Sequence, residues 1–458
     1  MSGDRSSGSS PRRPYQGKPA DQVRRGLRDV KPVRPERTPL PPRTANTAGP
    51  RVTSRTVALE ALRRVDDGAY VNLVLPKLLT ASGLDSRDRA LATELTYGTV
   101  RRRRAVDWLV NRHADRDLDI EVRRVLHLGT YQLAFARIPA HAAVSEMVDL
   151  APGKARGFCN AVLRRVAEDV AAGPIPWPDM ATALSYPDWI VDRLTADLGA
   201  ELAQDTLVHL DEAPTVNERA DGYNQDLASQ WVAAHVGAQR GEHVLDVCAA
   251  PGGKSTYLGK SGATVIAADV RPHRVELIAQ NVRKLVLIGA VIPVLADGLQ
   301  PPFAPGSFDR VLLDAPCSGL GVLHRRPDAR WRITADDIDD LVVLQRRLIE
   351  ASIPLVRPGG VFIFSACTLT LAESLRHDEW LARDHPELVA TSPPGAPWEP
   401  LGRGARLLPQ TAGTDGMVVF SYRVSAGRRN PRESGDRPSI EAKRLDELEP
   451  IPRPVRGC

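Results

Sequence analysis

The apolar positions change period near residue 172. From Ser54 to about Val170 they recur every three to four residues, the spacing of one helix face. In "SRTVALEALRRV", Val57, Ala58, Ala61, Leu62 and Val65 share a face, with Arg63 and Arg64 on the other. "SRDRALATELTYGTVRRRRAVDWLV" opens on Ser86 as a candidate N-cap and runs on through Leu91, Leu95 and Val100. "IEVRRVLHLGTYQLAFARIP", "VSEMVDLA" and "GFCNAVLRRVAEDV" continue the theme. The prediction is an all-helical bundle with basic outer faces. The Arg101 to Arg104 run reads first as a solvated face and second as an RNA contact.

Pro174, Pro176 and Pro178 then stop helix formation, and a connecting section runs to about Gln225. Beyond it lie apolar runs of strand length: "HVLDVCAA", "TVIAADV", "AVIPVLA", "DRVLLDA", "GVFIFSA" and "GMVVFSYRV". Helical segments such as "PHRVELIAQNVRKL" separate the first few. "TADDIDDLVVLQRRLIEASIPLVRPGG" is predicted as a helix opened by a Thr334–Asp337 capping box. Its apolar stripe is Ile338, Leu341, Val342, Leu348 and Ile349, and its expected stop is Gly359-Gly360. Alternating strands and helices predict an α/β, doubly wound, mostly parallel sheet. The expected organisation is a disordered basic tail over 1–50, the helical domain over 51–172 and a shortened connecting region over 173–225. A Rossmann-like domain over 226–425 and a second disordered tail over 426–458 complete it.

Composition narrows the partners. At 458 residues, 42% hydrophobic and 26% charged, the chain suits a soluble protein. No run of about 18 apolar residues predicts a membrane span, and no apolar stretch follows the first charges, so a cytoplasmic location is expected. The formal net charge of +5 points mildly to a polyanionic partner. Cys159, Cys248, Cys317, Cys367 and Cys458 have no C-x-x-C spacing, so no metal site is expected. Cys458 is expected to be an exposed terminal thiol.

"LDVCAAPGGKS", from Leu245 to Ser255, reads as a strand, a glycine turn and a helix start. It matches neither G-x-G-x-x-G nor G-x-x-x-x-G-K, which weakens dinucleotide and triphosphate readings. Asp269, at the end of the next run, suits both hydroxyls of a ribose. Asp297, at the end of the third, suits an adenine edge. Together the three favour an adenosyl cofactor, and S-adenosylmethionine fits because it needs no phosphate loop.

Cys317 lies in "DAPCSGLG" after the fourth run and Cys367 in "FSACTLT" at the end of the fifth. If runs one, four and five are neighbours, both thiols sit beside the cofactor's methyl group. A C-x5-R phosphatase loop fails, since five intervening residues lead to Leu323 and Glu373. A cysteine hydrolase using His324 leaves the second cysteine unexplained. Cytosine C5 methylation uses both: one thiolate adds to C6, and a second group assists elimination. A protonated Asp314 would hydrogen-bond the N3 edge.

"DVCAAPGGKS", "ADV", "ADG", "DAPCSGLG" and "FSACTLT", with "QDLASQWVAAHV" before them, resemble the Sun/Nop2 family of RNA 5-methylcytosine methyltransferases. The helical part is similar to the NusB-like domain of that family's bacterial RsmB (Fmu) branch, which methylates small-subunit (16S) ribosomal RNA. The resemblance implies Cys367 as the nucleophile and Cys317 as the release thiol. It implies Cys248, Ala249, Ala250, Pro251, Gly252, Gly253, Lys254, Asp269, Asp297 and Asp314 as cofactor-binding residues. "RRPD", Arg325 to Asp328, is also a family feature, with substrate-side and structural readings both open. Two departures stand out. Ala366-Cys367-Thr368 replaces the usual T-C-S. The segment between "PTVNERA" and "QDLASQ" lacks the several tens of residues that family members carry there. The expected partner is small-subunit ribosomal RNA, with no metal, no membrane and a monomer as the simplest state. A non-catalytic RNA-binding or assembly factor with a degenerate core is the alternative. A DNA cytosine methyltransferase, with Cys317 attacking, would lack its target-recognition domain and leave Cys367 idle.

Overall fold

Residues 52–114 and 117–425 are described by the computed structural model. The tails expected over 1–50 and 426–458, with Cys458, lie outside the described residues.

Amphipathic periodicity gives helices where it predicts them. Seven α-helices run from Ser54–Asp66 to Arg156–Ala171 among the described residues. Their apolar faces close one core around Leu62, Leu95, Val106, Leu126, Leu128 and Leu163. Thr53 caps the first helix in a capping box with Thr56. The helix expected to be capped by Ser86 is capped by Asp85, whose carboxylate accepts from the Asp88 amide at 2.8 Å. An ionised acceptor suits the positive helix start better than a hydroxyl does.

Residues 173–225 are more structured than a connector. They form helices Met180–Leu184, Asp188–Leu198 and Ala200–His209. Tyr186, Ile190, Leu194 and Leu207 pack there against Leu320, Leu323 and Ile338. Pro174, Pro176 and Pro178 all lie ahead of the first of these helices and so do not prevent them.

All six predicted strands are present: β1 (His243–Asp246), β2 (Thr264–Asp269), β3 (Val291–Leu295), β4 (Phe308–Asp314), β5 (Val356–Ala366) and a last one, Met417–Val424. Three short strands lie between these last two: β6 (Leu388–Ala390), β7 (Glu399–Leu401) and β8 (Gly404–Leu407), which makes Met417–Val424 β9. The order is β3-β2-β1-β4-β5-β9-β8-β7, with β6 also on β9. The first five strands are parallel and β9 is antiparallel to β5. Strand order reverses between β1 and β4, the switch point where doubly wound sheets bind ligands. The Thr334 capping box opens the helix Ala335–Ser352 as predicted. It ends before Pro354, which cannot continue a helix, and Gly359-Gly360 fall inside β5.

The arginine run and the segment after β4 form the joint between bundle and sheet. Arg101 is buried, and Arg102 pairs with Asp211. The fully buried Arg330 lies 3.7 Å from Asp211 and 4.0 Å above the Tyr186 ring, and donates to the Ser185 carbonyl at 3.2 Å. Trp331 Nε1 donates to the Val100 carbonyl at 2.7 Å, and Asp328 accepts from the Val71 amide at 3.1 Å. The solvated-face reading therefore fails for Arg101 and Arg102, and the Asp328–Trp331 part of "RRPD…W" is structural. A cavity of about 330 Å³ opens at this joint. Three of its guanidiniums, Arg123, Arg124 and Arg332, are already paired with Asp107, Asp66 and Asp328.

Candidate active site

Parallel strands deliver their carboxyl ends to one edge, and the chemistry-bearing residues are there. After β1 the chain turns through Cys248 to Gly252 into the short helix Gly253–Gly259. Gly252 takes φ +98°, a left-handed conformation that favours glycine. Asp269 ends β2 buried; it accepts from the Arg271 amide at 3.1 Å and lies 3.4 Å from Arg274 Nε. Asp297, just past β3, accepts from the Leu299 amide at 2.9 Å. Asp246, at the end of β1, accepts from Ser255 Oγ at 2.6 Å, while its second oxygen has no partner among the described residues. Burial, above all, pushes its carboxyl up to about 7.

The connector folds onto this loop. Arg219, buried, donates to Gln225 Oε1 and to the Gly253 carbonyl, each at 2.9 Å. Its guanidinium lies 4.8 Å from the centre of the Tyr223 ring. A Cβ on Gly253 would stand 3.2 Å from the Gln225 amide and 3.3 Å from Tyr223. The short segment therefore packs directly on the glycine turn.

The two cysteines meet. Strands β1, β4 and β5 are neighbours, and Cys317 Sγ lies 3.3 Å from Cys367 Sγ, both half-buried. The hydrogen bond from Cys317, with help from Arg326 and Lys254, holds Cys367 below the usual thiol range against burial and Asp314. The same hydrogen bond, with burial and the charges of Cys367 and Glu373, raises Cys317 well above it. The surroundings thus favour the shared proton on Cys317 over Cys367. Cys248, by contrast, is pushed up by burial and three carboxylates, and stays a thiol. Cys159 lies in the helical core.

Asp314 faces two donors: its Oδ2 is 2.6 Å from Lys254 Nζ, and Oδ1 accepts from Ser365 Oγ at 2.7 Å. Arg325 bridges Asp226 and Asp415, each at 2.6 Å. Sequence reasoning missed Glu373, Gln345 and Ser365. The legible sign was Gln345, a polar residue in register with Ile338, Leu341 and Leu348 on a buried stripe.

"DAPCSGLG" ends where two loops cross. Gly321 N donates to the Cys367 carbonyl at 3.1 Å, and Gly416 N to the Gly321 carbonyl at 2.8 Å. A Cβ at Gly321 would stand 2.1 Å from the Gly416 oxygen and 3.0 Å from that of Cys367. Gly321→Ala is expected to cost about 1–3 kcal/mol by overpacking. A lowered calorimetric midpoint checks it.

Sheet order, glycine turn and strand-end carboxylates define an α/β S-adenosylmethionine-dependent methyltransferase core joined to a NusB-like bundle. Residues 233–423 match the family model "16S rRNA methyltransferase RsmB/F", and 52–168 match "NusB family". The chain belongs to the RsmB/F methyltransferase family. It is 31% identical to the ribosomal RNA small subunit methyltransferase B of Yersinia pseudotuberculosis, over 79% of this chain and 96% of that one. It is 36% identical to Rv1407 of Mycobacterium tuberculosis, which has a provisional methyltransferase name, over 85% of this chain and 98% of that one. That alignment spans 466 positions, more than the 458 residues present here, so the relative carries internal segments that this chain lacks. The crystal structure of PH0851, 20% identical, shares the fold with a TM-score of 0.67 over 82% of this chain and 99% of that one.

Proposed function

We propose that the protein methylates C5 of a cytosine in small-subunit ribosomal RNA, using S-adenosylmethionine and a covalent cysteine–C6 adduct. The observation that carries this reading is the contact of the Cys367 and Cys317 sulfurs beside the Lys254–Asp314 pair. The donor set suits the cofactor: the 248–254 turn receives its body, Asp269 its ribose and Asp297 its adenine edge. When bound there, it supplies an electrophilic methyl group.

The chain's own residues do the rest. The Cys367 thiolate adds to C6 and pushes electron density onto N3 and O2 of the ring. Lys254 is the cation placed to meet that charge, and Asp314 is the acceptor for the 4-amino group. Once Cys367 is a thioether, the negative charge that kept Cys317 protonated is gone. Cys317 can then give its proton to water and, as thiolate, take the C5 proton as the C6–S bond breaks and Cys367 leaves as thiolate. Such attack needs the face of the base, so the target must be unpaired or flipped.

Incubation with small-subunit RNA and S-adenosylmethionine, followed by bisulfite mapping, tests the reading. One newly protected cytosine is expected, and methylation only at other base positions would sink it. The missing internal segments favour a second reading, a binding factor without catalysis. Calorimetric titration separates the two, since a degenerate core would not bind S-adenosylmethionine.

A further inference from the structure

Behind the two thiols sits a carboxylate that the chemistry above does not use. Glu373 is fully buried and pairs with no cation among the described residues. Its Oε1 accepts from the Ser318 amide at 2.7 Å and from Gln345 Nε2 at 3.2 Å. Its Oε2 accepts from the hydroxyls of Ser318 and Thr368, each at 2.6 Å, and of Thr370 at 2.8 Å. Ser318 follows Cys317 and Thr368 follows Cys367, so both cysteine loops end on one carboxylate. Their hydroxyls also meet each other at 3.2 Å. Gln345, from the helix Ala335–Ser352, is itself held by His377 at 2.7 Å and donates to the Pro316 carbonyl at 2.8 Å.

A charge in such a place is expensive to bury. A neutral amide or an apolar side chain would fill the space with less cost, so the charge itself is what calls for explanation. The charged groups facing the thiol pair are Lys254, Asp314 and Arg326 on the Cys367 side and Glu373 on the Cys317 side. Asp197 and His377 face the Glu373 side. Lys254 and Arg326 therefore favour charge on Cys367, and Glu373 disfavours it on Cys317.

We propose that Glu373 is a positioning residue of the two-cysteine centre: it ties the two loops at contact distance and keeps the shared proton on Cys317. The proposal rests on Cys367 as nucleophile, but it is read on the thiols alone, without RNA. A failure here therefore leaves the methylation test standing, and the reverse also holds.

The full chain is alkylated with iodoacetamide between about pH 6 and 9, and each cysteine is followed by peptide mass spectrometry. In the wild type Cys367 reacts first. Glu373→Gln keeps the shape and removes the charge, so the Cys367-to-Cys317 rate ratio is expected to fall about tenfold. Proximity is read separately with phenylarsine oxide, which needs two adjoining thiols. Ser318→Ala cuts one tie but keeps the charge, so arsenical affinity is expected to drop about tenfold with the alkylation order unchanged. A wild-type ratio in Glu373→Gln, or wild-type capture in Ser318→Ala, overturns the proposal. Should Glu373→Gln fail to fold, Glu373→Asp must keep the alkylation order and lose arsenical capture. The opposite pattern refutes it.

Discussion

Cys367→Ala is expected to abolish methyl transfer, lowering the rate by about 10⁴-fold or more, because the C5 carbon stays unreactive until a sulfur adds to C6. Incorporation of labelled methyl groups into small-subunit RNA is the measurement. Binding of S-adenosylmethionine should survive, since the 248–254 turn, Asp269 and Asp297 stand at the ends of β1, β2 and β3 and not on the Cys367 loop. Retained turnover in this variant would remove the nucleophile from the mechanism. Cys317→Ala is the complementary case. Alanine's methyl cannot take the C5 proton, so the adduct forms and persists, visible as a protein–RNA band on a denaturing gel. Lack of any such band under turnover conditions would deny Cys317 its release role. The asymmetry follows from the surroundings, because Arg326 and Lys254 act on one sulfur and Glu373 on the other.

That asymmetry was only partly legible in the sequence. Both cysteines end strand-like runs, and the glycine turn with its following acids marked the cofactor side. Long apolar runs gave all six major strands, because five or more such residues exceed what a turn tolerates. Strands β6, β7 and β8 have three or four residues each, and unlike the equally short β1 they sit in no longer apolar run. Glu373 was invisible for a different reason. One acid in a short loop looks like a solvated side chain, and its partners come from residues 318, 345, 368 and 370. The cation beside Asp314 was equally invisible, since Lys254 lies sixty residues earlier. The arginines were misjudged in the same way: a run of like charge implies water unless a carboxylate far along the chain is known to face it.

That carboxylate is Asp211, and removing it should have the largest effect on stability. Asp211 is buried, pairs with Arg102 and lies 3.7 Å from Arg330, with Arg101 buried nearby. Burial raises its carboxyl despite the three guanidiniums, and burial with the Arg330 charge lowers Arg101. Both directions mean that dehydration outweighs attraction in this cluster. The ion pair is therefore a poor source of stability as a whole but a costly one to break in half. Asp211→Ala leaves buried guanidiniums without their counter-charge, and a loss of about 3–5 kcal/mol is expected. Replacing the group together (Asp211→Leu, Arg102→Met, Arg330→Met) should restore much of that loss, because two of the three guanidiniums then need no counter-charge. Urea midpoints of the single and triple variants measure the difference. A triple variant weaker than the single one would show that attraction, not dehydration, governs the joint. The single variant should also lose methyl transfer, although none of these residues touches the cysteines. Arg330 and Trp331 belong to the segment that begins with Arg325, whose bridge to Asp226 and Asp415 adjoins the Gly416–Gly321 crossing under Cys367. Loosening the joint lets that segment shift, and the thiol contact shifts with it.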